Sequence, residues 1–212
     1  MIEVIPAIIT HSYEDLEQKL KQVELYTNKV QLDVMDGNFV SDTTIGIEEL
    51  EKIKTNLKFQ IHLMVSKPED IVGLWATNPK VSEIIFHIEA TDKTNEVIAA
   101  IKKESKKVGI AINPETLPDK LNDFISQIDF VQFMTVHPGK YGSEFVEMAL
   151  EHMSHFHNSY PDVKIIVDGA MHLGTIQRVV KAGASSVVIG GHIFSEGRNI
   201  GEAIQEIKDL IQ

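Results

Sequence analysis

Two aspartates carry the first chemical signal in this chain. Asp33 lies in Val30-Gln31-Leu32-Asp33-Val34-Met35-Asp36-Gly37, an apolar run interrupted by a carboxylate and closed by glycine. Asp168 ends a similar run, Ile165-Ile166-Val167-Asp168-Gly169. A β-branched strand does not bury a carboxylate without a partner, because the unpaired charge is costly. A metal, a proton or a substrate meets that cost where a strand ends and a site begins. Two carboxylates facing each other suit a two-base reaction, in which one takes a proton from one face of a carbon and the other returns one to the opposite face. The plainer reading, a cap or loop carboxylate, stays open, above all for Asp168, because Asp-Gly is also a turn signal.

His62, in Phe59-Gln60-Ile61-His62-Leu63-Met64-Val65, points the same way along a strand as Gln60 and Met64. A neutral imidazole beside carboxylates is a ligand set for Zn, Mn, Fe or Co; the alternative is a buried histidine satisfied by a hydrogen bond. Gly190-Gly191, before His192-Ile193-Phe194, reads as a close-approach loop entering a helical turn. With Gly169 at a matching strand end, its backbone N–H groups are candidates to hold a phosphate; a simple turn is the alternative. Met35, Met64 and Met134 all fall at expected strand ends, where they are either core filling or a polarizable lining around a charged intermediate. His152, His155 and His157 read as a solvated helix surface, and Asn113-Pro114-Glu115-Thr116 as a loop.

The elements that would position these residues alternate. Apolar, β-branched runs fall near 2–9, 30–34, 58–64, 83–88, 108–112, 129–134, 163–167 and 186–189, with helical spacing between them. Ile200, Ala203, Ile204, Ile207, Leu210 and Ile211 form one apolar stripe; Leu16, Leu20 and Val23 form another; Leu121, Phe124, Ile125 and Ile128 form a third. Asp119, Ser143 and Asn199 are the expected helix N-caps. Eight strand–helix units imply an α/β protein, a single (β/α)8 TIM barrel over residues 1–212, with chemistry at the C-terminal strand ends. A doubly wound open sheet is the alternative, but no G-x-G-x-x-G or P-loop follows the first strand. In a closed barrel the second and seventh strands lie across the mouth from one another, which sets Asp33 against Asp168.

Composition bounds the partners. Lys plus Arg is 20 against 31 Asp plus Glu, a net charge of −11, which on average repels nucleic acid and anionic membranes. No window approaches a membrane span, and the N-terminus MIEVIPAIIT reads as a first strand, not a signal peptide. There is no Cys, so disulfide and thiolate chemistry are excluded, and the cytoplasm is the expected location.

Together these residues resemble the ribulose-phosphate 3-epimerase family, through LDVMDGNFV at 32–40, IHLMV at 61–65, FHIEA at 86–90, INP at 112–114, MTVHPGKYGSEF at 134–145, VDGA at 167–170 and IGGHIF at 189–194. The resemblance implies a ribulose-phosphate-binding (β/α)8 barrel that epimerises C3 of a ketose phosphate. D-Ribulose 5-phosphate to D-xylulose 5-phosphate is the leading expectation, through a metal-stabilised enediolate. It implies that Asp33 and Asp168 are the acid/base pair and, with His62, hold a divalent metal (Zn, Fe, Mn or Co). Met35, Met64 and Met134 become the methionine cushion. Gly142, Gly169, Ala170, Gly190 and Gly191 become the phosphate site, Ala7 and Gly139 further substrate-binding positions, and a homo-oligomer the expected assembly. The loop 137–145 is a candidate lid that excludes water.

The sequence departs from the family pattern at several places. Gln31 stands where the family has its other metal-ligating histidine, which weakens a four-ligand site but leaves three protein ligands plus water. Ala7 replaces the first-strand serine, His137 replaces an asparagine, Gly139-Lys140-Tyr141-Gly142 replaces G-F-G-G, and Gly191 replaces a serine. Two alternatives therefore stand beside the leading one. One is an epimerase of a related sugar phosphate, such as a hexulose 6-phosphate, with altered or absent metal. The other is a non-catalytic sugar-phosphate-binding relative.

Overall fold

The computed structural model describes residues 2–139 and 142–211. Eight parallel strands close into a barrel in the order of the chain: β1 (Glu3–Ile8), β2 (Lys29–Met35), β3 (Lys58–Met64), β4 (Val81–His87), β5 (Lys107–Ile112), β6 (Phe130–Met134), β7 (Lys164–Asp168) and β8 (Ser186–Ile189), with β8 pairing β1. Helices α1 (Tyr13–Val23), α2 (Ile47–Lys52), α3 (Val72–Thr77), α4 (Thr94–Lys103), α5 (Met148–Ser159) and α6 (Leu173–Lys181) lie between strands, and α7 (Ile200–Leu210) follows β8. The closed ring, not the open sheet, is the architecture. No described helix is long and apolar enough to cross a membrane.

The helices form where their sequences say they should. Ser12 caps α1, its side chain accepting from Asp15 N at 3.2 Å, and Leu16, Leu20 and Val23 are buried on one face. Asn199 caps α7 in the same way, accepting from Glu202 N at 3.2 Å, and Ala203, Ile204 and Ile207 are buried. Each fully buried aliphatic side chain of such a stripe contributes about 1.5–3 kcal/mol.

The expected helix after β5 does not form. Short 3₁₀ turns at Pro118–Leu121 and Ile125–Gln127 take its place. Leu121 is still buried and Phe124, Ile125 and Ile128 still pack on the core, so the apolar stripe is real but two tight turns satisfy it. Asp119 therefore sits inside a turn and caps no helix. Ser143 is not a cap either, because α5 begins at Met148 after Glu147. On α5, His155 is exposed, whereas His157 packs its ring over Gly183 and is only partly solvated.

Two cores hold the barrel. The larger lies between the strands and the helices. The smaller fills the barrel with Ile5, Ala7, Ile85, Ala111, Phe130, Ile166 and Val188. Gly109 makes this filling possible: a Cβ there would stand 2.2 Å from Phe130 Cε2, its register partner's ring. At the N-terminal end of the barrel Glu83 is neutralised by Lys29 and Lys107, each at 3.3 Å, and accepts from Gln60 Nε2 at 2.6 Å. Conserving the charge balance at this end belongs to stability, since barrel chemistry sits at the other end.

Candidate active site

Parallel pairing fixes the site by register. Gln31 lies beside Gln60, Asp33 beside His62, Met35 beside Met64, and Met134 beside Asp168. Because side chains alternate along a strand, Gln31, Asp33 and Met35 all point into the barrel at successive levels. The upper levels open into a cavity of about 540 Å³ at the C-terminal strand ends. Ala7, Asp33, Met35, Met64, Met134, Gly139, Gly142, Asp168, Gly169, Ala170, Gly190 and Gly191 all line it, and His62 is fully buried beneath it, against Asp33 and Asp168. Lys140 and Tyr141 of the candidate lid lie outside the described residues. His137, on the near flank of that loop, is exposed and pairs with Glu115 at 3.4 Å, away from the floor.

The floor is a dense polar cluster. His62 Nδ1 stands 3.3 Å from Asp33 Oδ1 and 3.5 Å from Asp168 Oδ2. Gln31 Nε2 donates to Asp33 Oδ1 at 2.8 Å and to Asp168 Oδ2 at 2.7 Å, so one amide ties together carboxylates from opposite sides of the ring. Gln132 Nε2 donates to Asp168 Oδ2 at 3.2 Å and lies 3.3 Å from His62 Nδ1. Burial pushes the Asp33 carboxyl above its ordinary value, and the charge of Asp168 adds to the rise, while hydrogen bonds from His62 and Gln31 oppose it. Burial alone would lower His62, but hydrogen bonds to Asp168 and Asp33, with their charges, raise it to about 9.

Behind His62 runs a relay. His62 Nε2 lies 2.9 Å from His87 Nε2, and His87 Nδ1 lies 3.3 Å from Glu89 Oε2. Burial and the neighbouring His62 charge hold His87 below its usual range, which leaves its Nε2 free to accept from His62 and its Nδ1–H to donate to Glu89. Glu89 is held in turn by Asn113 N at 2.8 Å and Thr116 Oγ1 at 2.5 Å. The loop 113–116 thus anchors the relay. The relay fixes the orientation of the ring, with His62 Nδ1 aimed at the two carboxylates.

The glycine-rich end is built differently. Gly169 has φ +109°, and a Cβ there would meet Val136 Cγ2 at 2.5 Å. Ala170 follows with φ +47°, a left-handed conformation in a residue that has a Cβ. The turn is clamped by Thr135, whose N donates to Asp168 O at 2.8 Å and whose hydroxyl donates to Gly169 O at 2.5 Å. Backbone strain held in place this way is typical of a ligand site. His192, inside the IGGHIF motif, lines the same end, together with His172 and Ser195, which stand outside every motif.

A divalent cation fits the floor. One ligand atom each from Asp33, His62 and Asp168 lie within 4.8 Å of one another. Two carboxylates and an imidazole are an ordinary donor set for a first-row metal. His62 also has the second partner, His87, that orients a ligating imidazole.

Comparison with known proteins agrees with the geometry. The profile of the ribulose-phosphate 3 epimerase family matches residues 3–194. The chain is 30% identical over 216 residues to the ribulose-phosphate 3-epimerase of Bacillus subtilis (strain 168), covering 98% of this chain and 99% of that one. It is 32% identical over 197 residues to the ribulose-phosphate 3-epimerase of Treponema pallidum (strain Nichols), covering 90% of each. Among solved structures, a 3-hexulose-6-phosphate synthase superposes with a TM-score of 0.72 over 100% of both chains at 19% identity, a likeness of fold. The chain belongs to the ribulose-phosphate 3 epimerase family.

Proposed function

We propose that this protein is an isomerase that inverts C3 of a ketose 5-phosphate, interconverting D-ribulose 5-phosphate and D-xylulose 5-phosphate. The observation that carries this reading is the pair Asp33 and Asp168. They come from β2 and β7, on opposite sides of the ring, and meet over His62 at the floor of the cavity. One carboxylate takes the C3 proton, negative charge develops on the C2 oxygen, and the other carboxylate delivers a proton to the opposite face. Asp33, with its carboxyl pushed up by burial, is suited to hold a proton between the half-reactions. A divalent cation held by Asp33, His62 and Asp168 supplies Lewis-acid stabilisation of that charge when bound.

The remaining groups position the sugar and keep it dry. Gly142, Gly169, Ala170, Gly190 and Gly191 line the end where the phosphate rests, and its binding energy orients C3 between the carboxylates. Met35, Met64 and Met134 face the reacting carbon with polarizable side chains that have no proton to give an enediolate. Pro138, Gly139 and the stretch 142–145 form a wall that excludes water, which protects the intermediate from losing phosphate. A homo-oligomer belongs to the same reading and is checked by sedimentation.

Purified protein is to be incubated with D-ribulose 5-phosphate and the product followed by NMR. D-Xylulose 5-phosphate is expected, and Asp33→Asn and Asp168→Asn, checked for folding by circular dichroism, each lower kcat by about 10²–10⁴-fold or more. Retained binding of ketose 5-phosphates without any turnover would remove the isomerase reading.

A further inference from the structure

The proton transfers described above leave two fully buried amides at the floor of the site without a task. Gln31 and Gln132 come from β2 and β6, and neither side chain reaches solvent. Their Nε2 groups converge on the same atoms, His62 Nδ1 and Asp168 Oδ2. Gln31 Oε1 and Gln132 Oε1 are both buried with no hydrogen-bond partner. An unpaired buried carbonyl is unfavourable, and two of them beside a carboxylate–imidazole cluster indicate that the arrangement is completed by something else.

We propose that Gln31 and Gln132 are amide ligands of the divalent cation, each turning its terminal amide so that Oε1 faces the ion held by Asp33, His62 and Asp168. The set then has one imidazole nitrogen, two carboxylate oxygens and two amide oxygens. Oxygen-dominated sets with high coordination suit Mn²⁺, whereas Zn²⁺ is best served by four nitrogen or sulfur donors. The centre is therefore tuned toward Mn²⁺ relative to a site with histidine at position 31. Without the ion, the same amides point Nε2 inward and donate hydrogen bonds to the carboxylates, Gln31 to both and Gln132 to Asp168. A half-turn of each amide converts the floor from one state to the other with no backbone movement. The inference rests on the proposed function only for the presence of a cation, and its test reads binding, not turnover.

The test uses the full chain stripped of metal, titrated with Mn²⁺ while the signal of the free aqueous ion is followed by electron paramagnetic resonance. The wild type is expected to bind one Mn²⁺ per chain, and Gln132→Leu to bind it about 10- to 100-fold more weakly, the loss typical of a metal site deprived of a supporting group. Unchanged or tighter binding by Gln132→Leu would overturn the inference, because an amide that merely plugs the site releases the carboxylates when removed. A second measurement does not depend on any variant folding. Wild-type protein carrying ¹³C at the glutamine side-chain carbonyl and loaded with Mn²⁺ is expected to show ¹³C hyperfine couplings in pulsed electron–nuclear double resonance; their absence overturns the assignment. In Zn²⁺/Mn²⁺ competition followed by metal analysis, Gln31→His is expected to shift the ratio toward Zn²⁺ by about tenfold or more, and an unshifted ratio overturns the selectivity. Loss of these signals in a protein that still epimerises would separate this inference from the proposed activity.

Discussion

Replacing Gln31 by leucine isolates what its amide does for the metal-free fold. Leucine is close in volume and removes both donors while leaving the acceptors in place. The structure gives the amide two bonds to carboxylates, 2.8 Å to Asp33 and 2.7 Å to Asp168. Hydrogen bonds to charged groups contribute about 1.5–3 kcal/mol each, so the upper bound is roughly 3–6 kcal/mol. The loss is smaller than the sum because the groups form one network and Asp33, already pushed up, relieves repulsion by taking a proton. About 2–4 kcal/mol is the expected cost. At about 2–4 °C per kcal/mol for a chain of this size, Tm falls by roughly 5–15 °C. The assay is thermal unfolding in chelator, repeated with saturating Mn²⁺. The deficit should grow with the ion, because the wild type keeps the Gln31 ligand, binds Mn²⁺ more tightly and is stabilised more by it. A Gln31→Leu protein as stable as the wild type in chelator would refute the idea that this amide stabilises the carboxylate pair by hydrogen bonding.

Other positions give independent checks. Gly169→Ala should destabilise the fold by about 2–4 kcal/mol in urea titration, since the new Cβ meets Val136 Cγ2 at 2.5 Å at a φ of +109°; KM for the sugar phosphate should rise more than kcat falls. Asp36 accepts from Asn38 N and Phe39 N at 2.9 Å and Ser66 N at 2.8 Å, and despite partial burial these bonds hold its carboxyl below the ordinary 3.8. A depressed folded-state pKa means stability that is present above the unfolded value and lost as pH falls through the folded one. Asp36→Ala should therefore cost about 1–2 kcal/mol at neutral pH, and its difference from the wild type should fade below pH 3.8 in acid unfolding curves. Glu83→Ala removes the partner shared by Lys29 and Lys107 and should lower stability by about 2–4 kcal/mol with KM unchanged, measured by chemical denaturation beside steady-state kinetics.

Much of this molecule was legible before its fold was known, for reasons that differ by element. The strands showed because each is a short run rich in β-branched or other large apolar residues. The end helices showed because Leu16-Leu20-Val23 and Ile200-Ala203-Ile204-Ile207 repeat at helical steps. The segment after β5 departs from the expected helix because its apolar spacing serves two 3₁₀ turns as well as one helix. Asp33, His62 and Asp168 stood out as polar residues inside apolar runs, and closure of the ring brings them together. Gln132 obeys the same alternation in Phe130-Gln132-Met134, but a single amide in a five-residue strand has no motif around it. Its meaning comes from the reach of β6 across the barrel toward His62. The relay through His87 and Glu89 was visible only as two polar residues of FHIEA, since which nitrogen faces which neighbour is set by three-dimensional contact.

The central claim is that two carboxylates serve opposite faces of one carbon. It is tested most directly by running the reaction in deuterated water and examining C3 of product and recovered substrate at low conversion. The account predicts D-xylulose 5-phosphate carrying deuterium at C3, while recovered D-ribulose 5-phosphate still carries protium, because the carboxylate that took the proton is not the one that delivers. Product that retains the substrate's own hydrogen at C3 would contradict it, since a single base would then be handing one proton from face to face.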